Sequence, residues 1–283
     1  MPSSSSSNFL LSFLFALTAS NCAAKNISSS SSPRQLSVDY YAKTCPQLEL
    51  LVGSVTSQQF KEAPVSGPAT IRLFFHDCFV EPGSKVLAEK DAEDNQDLRA
   101  EGFQTVARPR PGGEQAGGPY YPVKKGRRDG KISMASKGLA LQDLVVLSGA
   151  HTFGFAHCKQ FVSRLYTFRA PTDPDMDPRL LKSLRMSCPQ LGGNSDIVAP
   201  FDVTTPFLFD HAYYGNLEAK LGLLASDQAL FSDPRTKPLV LQLGKDKKKF
   251  FQAFSAAMEK MGSIGVETGT RQGEKRRESD MQT

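Results

Sequence analysis

Apolar residues recur at helical rather than strand spacing along most of the chain. Leu48, Leu51, Val52 and Val55 fall on one helical face just after Pro46, whose fixed φ suits a first turn. Phe250, Phe251, Phe254, Ala257, Met258 and Met261 make a longer stripe that stops at Gly262, a residue suited to the left-handed position that closes a helix. Between them, Asp143-Leu144-Val145-Val146-Leu147-Ser148 reads as an apolar helix broken by Gly149, with His151 just past its end. No run shows the sustained alternation or the Val, Ile and Thr enrichment of a sheet, and there are no internal repeats. The expected fold class is all-α.

The two ends read differently from the middle. Residues 1–24 hold the apolar run Phe9 to Leu17, followed by the small residues Ala19, Ser20, Cys22, Ala23 and Ala24. Such a run is too short to span a bilayer and matches a cleaved secretory signal, although no Lys or Arg precedes it. The rival reading is a buried N-terminal helix. Residues 267–283 are rich in Gly, Gln, Arg, Glu and Asp and read as a loose tail, which leaves 25–266 as the folded domain. At 283 residues and 40% hydrophobic content the chain can bury one substantial core or two small ones. No other segment is apolar enough for a membrane span. The net charge of +5 is too mild to suggest nucleic acid, and Lys245-Asp246-Lys247-Lys248-Lys249 reads as an exposed helix start. Asn26-Ile27-Ser28 is a glycan acceptor sequence. Without the leader four cysteines remain, Cys45, Cys78, Cys158 and Cys188, an even number consistent with disulfides in an exported chain.

The stretch Arg72-Leu73-Phe74-Phe75-His76-Asp77-Cys78 carries the first sign of chemistry. Arg72 and His76 share a helical face and bring a permanent cation beside a neutral base. Ile71, Leu73, Phe74, Phe75 and Phe79 make the setting too apolar for two polar heads unless a ligand or partner compensates them. A plain buried helix, with His76 bonded into the core and Arg72 reaching outward, is the competing reading.

Taken with Asp143 to Gly154, this stretch resembles the distal and proximal haem-side motifs of the secreted plant (class III) haem peroxidases. The likeness continues in the same order through Asp202-Val203-Thr204-Thr205-Pro206, Phe209-Asp210 with Tyr213-Tyr214, and Gly222-Leu223-Leu224-Ala225-Ser226-Asp227-Gln228. It implies a haem-peroxidase-like helical fold, haem b and Ca²⁺ as cofactors, and a monomer acting on hydrogen peroxide and small phenolic donors in the extracellular space or cell wall. An acidic wall polysaccharide is a further possible partner for the positive charge. On this reading His76 takes a proton from the peroxide and returns it to the departing oxygen, while Arg72 stabilises the charge that develops there. Asn95 would fix the tautomer of His76, with Phe75 and Phe153 against the haem. His151 would be the axial iron ligand, oriented by Asp227, for which a simple helix-cap acid is the rival role. Thr152, Asp202, Thr205 and Asp210, with the main-chain carbonyl of Leu208, match a proximal calcium site, whereas only Asp77 and Glu89 remain of a distal one. His157 and His211 match no role and are expected at the surface or hydrogen-bonded in helices.

Departures from the family pattern matter as much. Glu81 to Lys85, Pro109 to Gly113 and Lys137 to Leu139 stand where relatives carry further turns, a central helix and an entrance segment, so the chain reads as a peroxidase with segments cut out. Of the family's four bridges only Cys158–Cys188 keeps both halves; Cys45 and Cys78 are orphans, expected as free thiols. Ala140 replaces the usual Ser or Thr before Asp143, so the capping box is expected to be lost. These losses weigh on catalysis, since a site must be held by its supporting shell. The alternative to a weakly active enzyme is a non-catalytic, wall-associated protein that binds haem poorly or not at all.

Overall fold

The computed structural model describes residues 36–79, 117–119, 138–167, 173–190, 193–194 and 197–264. They form helices α1 (Leu48–Glu62), α2 (Ser66–Phe79), α3 (Leu141–Ser148), α4 (Val162–Tyr166), α5 (Pro178–Ser187), α6 (Ala212–Glu218), α7 (Ala225–Ser232), α8 (Lys237–Leu243) and α9 (Lys247–Met261). The all-α expectation holds apart from one small ribbon. Strand β1 (Phe155–His157) pairs antiparallel with β2 (Val198–Pro200), Phe155 facing Pro200. Strands of three residues are too short to show alternation, so no pattern announces them. Among the described residues no helix is long and apolar enough to cross a membrane.

Two packed clusters frame the centre. In the first, Val145 and Val146 of α3 meet Tyr213, Tyr214 and Leu217 of α6, Val240 and Leu243 of α8, and Phe250 and Phe254 of α9. The buried Tyr214 hydroxyl donates to the Val145 carbonyl at 3.1 Å, so its polar tip costs little. Gly149 belongs to a 3₁₀ turn, Gly149–Thr152, with an ordinary right-handed φ of −59°. Its glycine identity answers to space instead: a Cβ there would lie 2.6 Å from Phe250 Cε2. Gly262 corrects the reading of a left-handed cap in the same way. The helix does end at Met261, but Gly262 has φ −66°, and a Cβ would sit 3.0 Å from Phe74 Cζ.

The second cluster gathers Phe161, Leu165, Met176, Leu181, Leu184 and Leu223 around the Cys158–Cys188 disulfide, whose Cα atoms are 5.6 Å apart. The expected bridge is therefore present, and its loop of 30 residues corresponds to roughly 3–4 kcal/mol by chain entropy. The free-thiol expectation for Cys45 is overturned, because Cys45 is disulfide-bonded. Family matching counts only inherited partners, whereas bridging needs only two cysteines whose Cα atoms come within about 4.4–6.8 Å. Cys22 and Cys78 are the remaining cysteines of the chain. The sulfur of neither lies in the described part.

Helix starts refine two further readings. Asp246 caps α9 by accepting the Lys249 N–H at 2.9 Å, and the lysines beside it are exposed, as expected for a helix start. At α3 the capping box is only half lost. Ala140 has no side-chain acceptor, yet its N–H still donates to Asp143 Oδ2 at 2.7 Å. Asp143 also pairs with Lys260, tying α3 to α9. Burial raises the Asp143 carboxyl, but bonds from Lys260 and the Ala140 N–H outweigh it and hold the group below 3.8. A depressed carboxylate contributes stability above its unfolded pKa and loses it as pH falls through the folded value. Lys260→Ala should therefore cost about 0.5 kcal/mol at neutral pH and low salt. Urea titrations in descending pH steps should show that difference shrinking below 3.8.

Candidate active site

His151 sits in the 3₁₀ turn that continues α3, where its ring is held from three sides. Its Nδ1 lies 2.8 Å from Asp227 Oδ1. Phe201, just after β2, stacks on the imidazole at 4.2 Å with planes 4° apart, and Tyr213 presents its ring edge-on. Asp227 is 2% exposed and accepts two more bonds, from the Tyr213 hydroxyl at 3.1 Å and the Leu224 N–H at 3.1 Å. The Leu224 bond caps α7, so Asp227 is both the helix-cap acid and the partner of His151; the two readings are not rivals. Burial, and then the Asp227 charge, push the Tyr213 phenol well above its usual range, so it remains a donor. Because a carboxylate can only accept, the proton of His151 belongs on Nδ1.

In the neutral tautomer this leaves the lone pair on Nε2, and among the described residues that nitrogen has no hydrogen-bond partner. The His151 side chain is 35% exposed although Asp227, Tyr213 and Thr152 around it are buried. An imidazole oriented by a carboxylate on Nδ1, with Nε2 open, is the arrangement that an axial iron ligand requires. The residues present fit haem iron on this side.

Next to His151, the Thr152 hydroxyl lies 3.1 Å from Asp202 Oδ2 and 3.3 Å from Asp210 Oδ1. The Thr205 hydroxyl lies 3.3 Å and 3.2 Å from the same two oxygens. Four oxygens thus form a ring with only two hydroxyl hydrogens among them. Its spacings exceed the usual 2.7–2.8 Å of an O–H···O bond, as expected of neighbours in a cation shell with a radius of about 2.4 Å. Asp202 is fully buried and Asp210 is 7% exposed. Asp202 Oδ1 faces away and is satisfied by the Thr204 N–H, the Thr205 N–H and Asn216 Nδ2. Leu208 shares the turn, its N–H bonded to the Thr205 carbonyl. Among the described residues no three His, Cys, Asp or Glu side chains converge, and a donor set of two acids and two hydroxyls suits a hard oxygen-seeking cation better than zinc. The set fits Ca²⁺.

The distal residues are placed less completely. Arg72 and Phe75 are exposed on α2, Phe75 by 43%, and His76 and Asp77 lie on the same helix. The side chains of His76 and Asp77, and Glu89 and Asn95 altogether, lie outside the described residues. Phe153 is buried against Phe60 of α1, and a Cβ on Gly67 in the first turn of α2 would come within 2.7 Å of its ring, so it packs these two helices onto the proximal side. His157 is half-buried in β1. His211 departs from the expectation of a surface or hydrogen-bonded role: its Nδ1 is buried and has no hydrogen-bond partner among the described residues. Phe201 is the site residue that sequence reasoning missed. An aromatic after a three-residue strand carries no periodic signal.

Comparison with known proteins agrees with this geometry. The family profile described as Peroxidase matches residues 132–246, which include His151, Asp202, Asp210 and Asp227. The chain is similar to Peroxidase 19 of Arabidopsis thaliana, 51% identical over 298 residues, covering 85% of this chain and 86% of that protein. Peroxidase 55 of the same plant is 38% identical over 298 residues, covering 86% and 89%, and Peroxidase 16 is 38% identical over 294, covering 85% and 91%. The 298 aligned positions outnumber the 283 residues of the chain, although only 85% of it takes part. Peroxidase 19 therefore carries internal residues with no counterpart here, as the abrupt joins imply. With matches of this identity and coverage, the chain belongs to the class III plant peroxidases.

Proposed function

We propose that the chain reduces hydrogen peroxide at a haem b held by His151, and that phenolic donors supply the electrons. Peroxide-dependent oxidation at haem is the activity of its family, and its 51% identity to a protein named a peroxidase favours an enzyme over a non-catalytic wall protein. The observation that carries the assignment of His151 is the 2.8 Å contact with Asp227 beneath the Phe201 stack, with Nε2 left open. Bound haem would supply the redox-active iron. Asp227 keeps the imidazole electron-rich and in one tautomer, and the Tyr213 hydroxyl holds that carboxylate in place. On the other side His76 moves a proton from one peroxide oxygen to the other, Asn95 fixes its tautomer, and Arg72 offsets the charge on the departing oxygen. The overall balance is one peroxide and two donor hydrogens giving two waters and two donor radicals.

Thr152, Asp202, Thr205, Asp210 and the Leu208 carbonyl would hold the proximal calcium. Asp77 and Glu89 are what remains for a distal one. The protein acts as a monomer in the cell wall, where its charge of +5 favours acidic polysaccharide. Haem-loaded protein should oxidise guaiacol only when hydrogen peroxide is added, and more slowly than a full-length relative, because the shell around the site is shortened. A protein with a normal Soret band and no peroxide-dependent turnover would contradict this reading.

A further inference from the structure

Among the described residues one buried ion pair remains that the chemistry above does not use. Arg164 of α4 and Asp173 are 2% and 3% exposed, with Arg164 Nε 2.7 Å from Asp173 Oδ2. A surface pair of this kind would add little, but an internal one needs further bonds to offset its desolvation. Arg164 makes them with a single nitrogen: Nη1 donates to the Gly222 carbonyl at 2.6 Å and to the Leu223 carbonyl at 2.8 Å. The next residue, Leu224, gives its N–H to Asp227. The other end of the turn is tied as well, since Gly222 N–H donates to Gln228 Oε1, and Gln228 Nε2 donates to the Leu217 carbonyl. On the far side of the pair, Asp173 Oδ1 accepts the Asp175 N–H at 2.9 Å. Lys220 reaches the Pro174 carbonyl with its Nζ and accepts the Asp177 N–H through its own carbonyl, in a left-handed conformation with φ 59°. The segment around Asp173 is therefore stapled to the turn that precedes α7.

We infer that Arg164 is a positioning residue for the His151–Asp227 pair: its guanidinium fixes the Gly222–Leu223 carbonyls, and through the Leu224 N–H the carboxylate that orients His151. Arg164 follows His151 in the chain by 13 residues, whereas Asp227 follows it by 76, so this contact joins the two segments that must stay in register. A lysine cannot substitute. It would keep the charge but not the fork that meets one carboxylate and two carbonyls at once. The inference rests on His151 being the iron ligand, and the test separates the two.

In the full-length chain without haem, hydrogen exchange at the Leu224 amide should be about tenfold faster in Arg164→Met than in wild type, with amides of α9 unchanged. In the haem-loaded protein the iron reduction potential should rise in Arg164→Met, as it should in Asp227→Asn, because a slack carboxylate leaves the imidazole less electron-rich. The double variant should rise no further than Asp227→Asn alone. Arg164→Lys, which retains a cation for Asp173, should show the same amide effect if the Met variant folds poorly. Lowered thermal stability in Arg164→Met and Arg164→Lys, with Leu224 exchange and potential both unchanged, would overturn the positioning role and leave an ordinary buried pair. If Asp227→Asn itself fails to move the potential, it is the assignment of His151 that fails.

Discussion

Replacing His151 with alanine is expected to abolish the Soret band of the haem-loaded protein, while His76→Ala should leave the band nearly intact and lower guaiacol turnover by about 10²–10⁴-fold. The asymmetry follows from what each imidazole has around it. His151 has a buried carboxylate on Nδ1, a stacked Phe201 and an open Nε2, the surroundings of a ligand. His76 shares a helix with Arg72 four residues earlier, and a cation beside an imidazole suits proton transfer with charge stabilisation. His151→Ala also strips one donor from the buried Asp227, a loss of about 1–3 kcal/mol, so the variant should be compared by its unfolding curve before its spectrum is read. Loss of the band in His76→Ala with retention in His151→Ala would reverse the assignment of the two faces.

What is legible in the sequence depends on how local the signal is. Arg72 and His76 can be set on one face from their spacing alone, and the stripe from Phe250 to Met261 gives α9 to its last residue. Gly262 and Gly149 show the limit of that reading. Both mark helix ends, but the reason lies with Phe74 and Phe250, rings that arrive from distant segments. Asp227 looks from its own neighbourhood like a cap, and is one; only the fold shows that its other oxygen faces His151. Phe201 and Arg164 give no pattern at all, because stacking and a forked bond to carbonyls depend on approach angles that no residue spacing encodes. Cys45 is misread for a related reason: inheritance indicates which partners a cysteine had, and proximity in this shortened chain decides which one it has.

Chelation is expected to destabilise the calcium-loaded protein by on the order of 3–5 kcal/mol, the usual cost of leaving a buried charge without its partner. Asp202 and Asp210 cannot relax into water, being fully buried and 7% exposed, and their facing oxygens share two hydroxyl hydrogens from Thr152 and Thr205. In a chain of this size that loss lowers the melting temperature by roughly 6–20 °C. Because Thr152 adjoins His151, the same treatment should speed haem loss. Asp202→Asn provides the control. It removes one of two charges, keeps a group of the same shape for the Thr204 and Thr205 N–H donors, and should melt lower than wild type in calcium while responding little to chelator. A wild-type melting temperature that ignores chelator would remove calcium from this site and require another explanation for two carboxylates turned toward each other in the core.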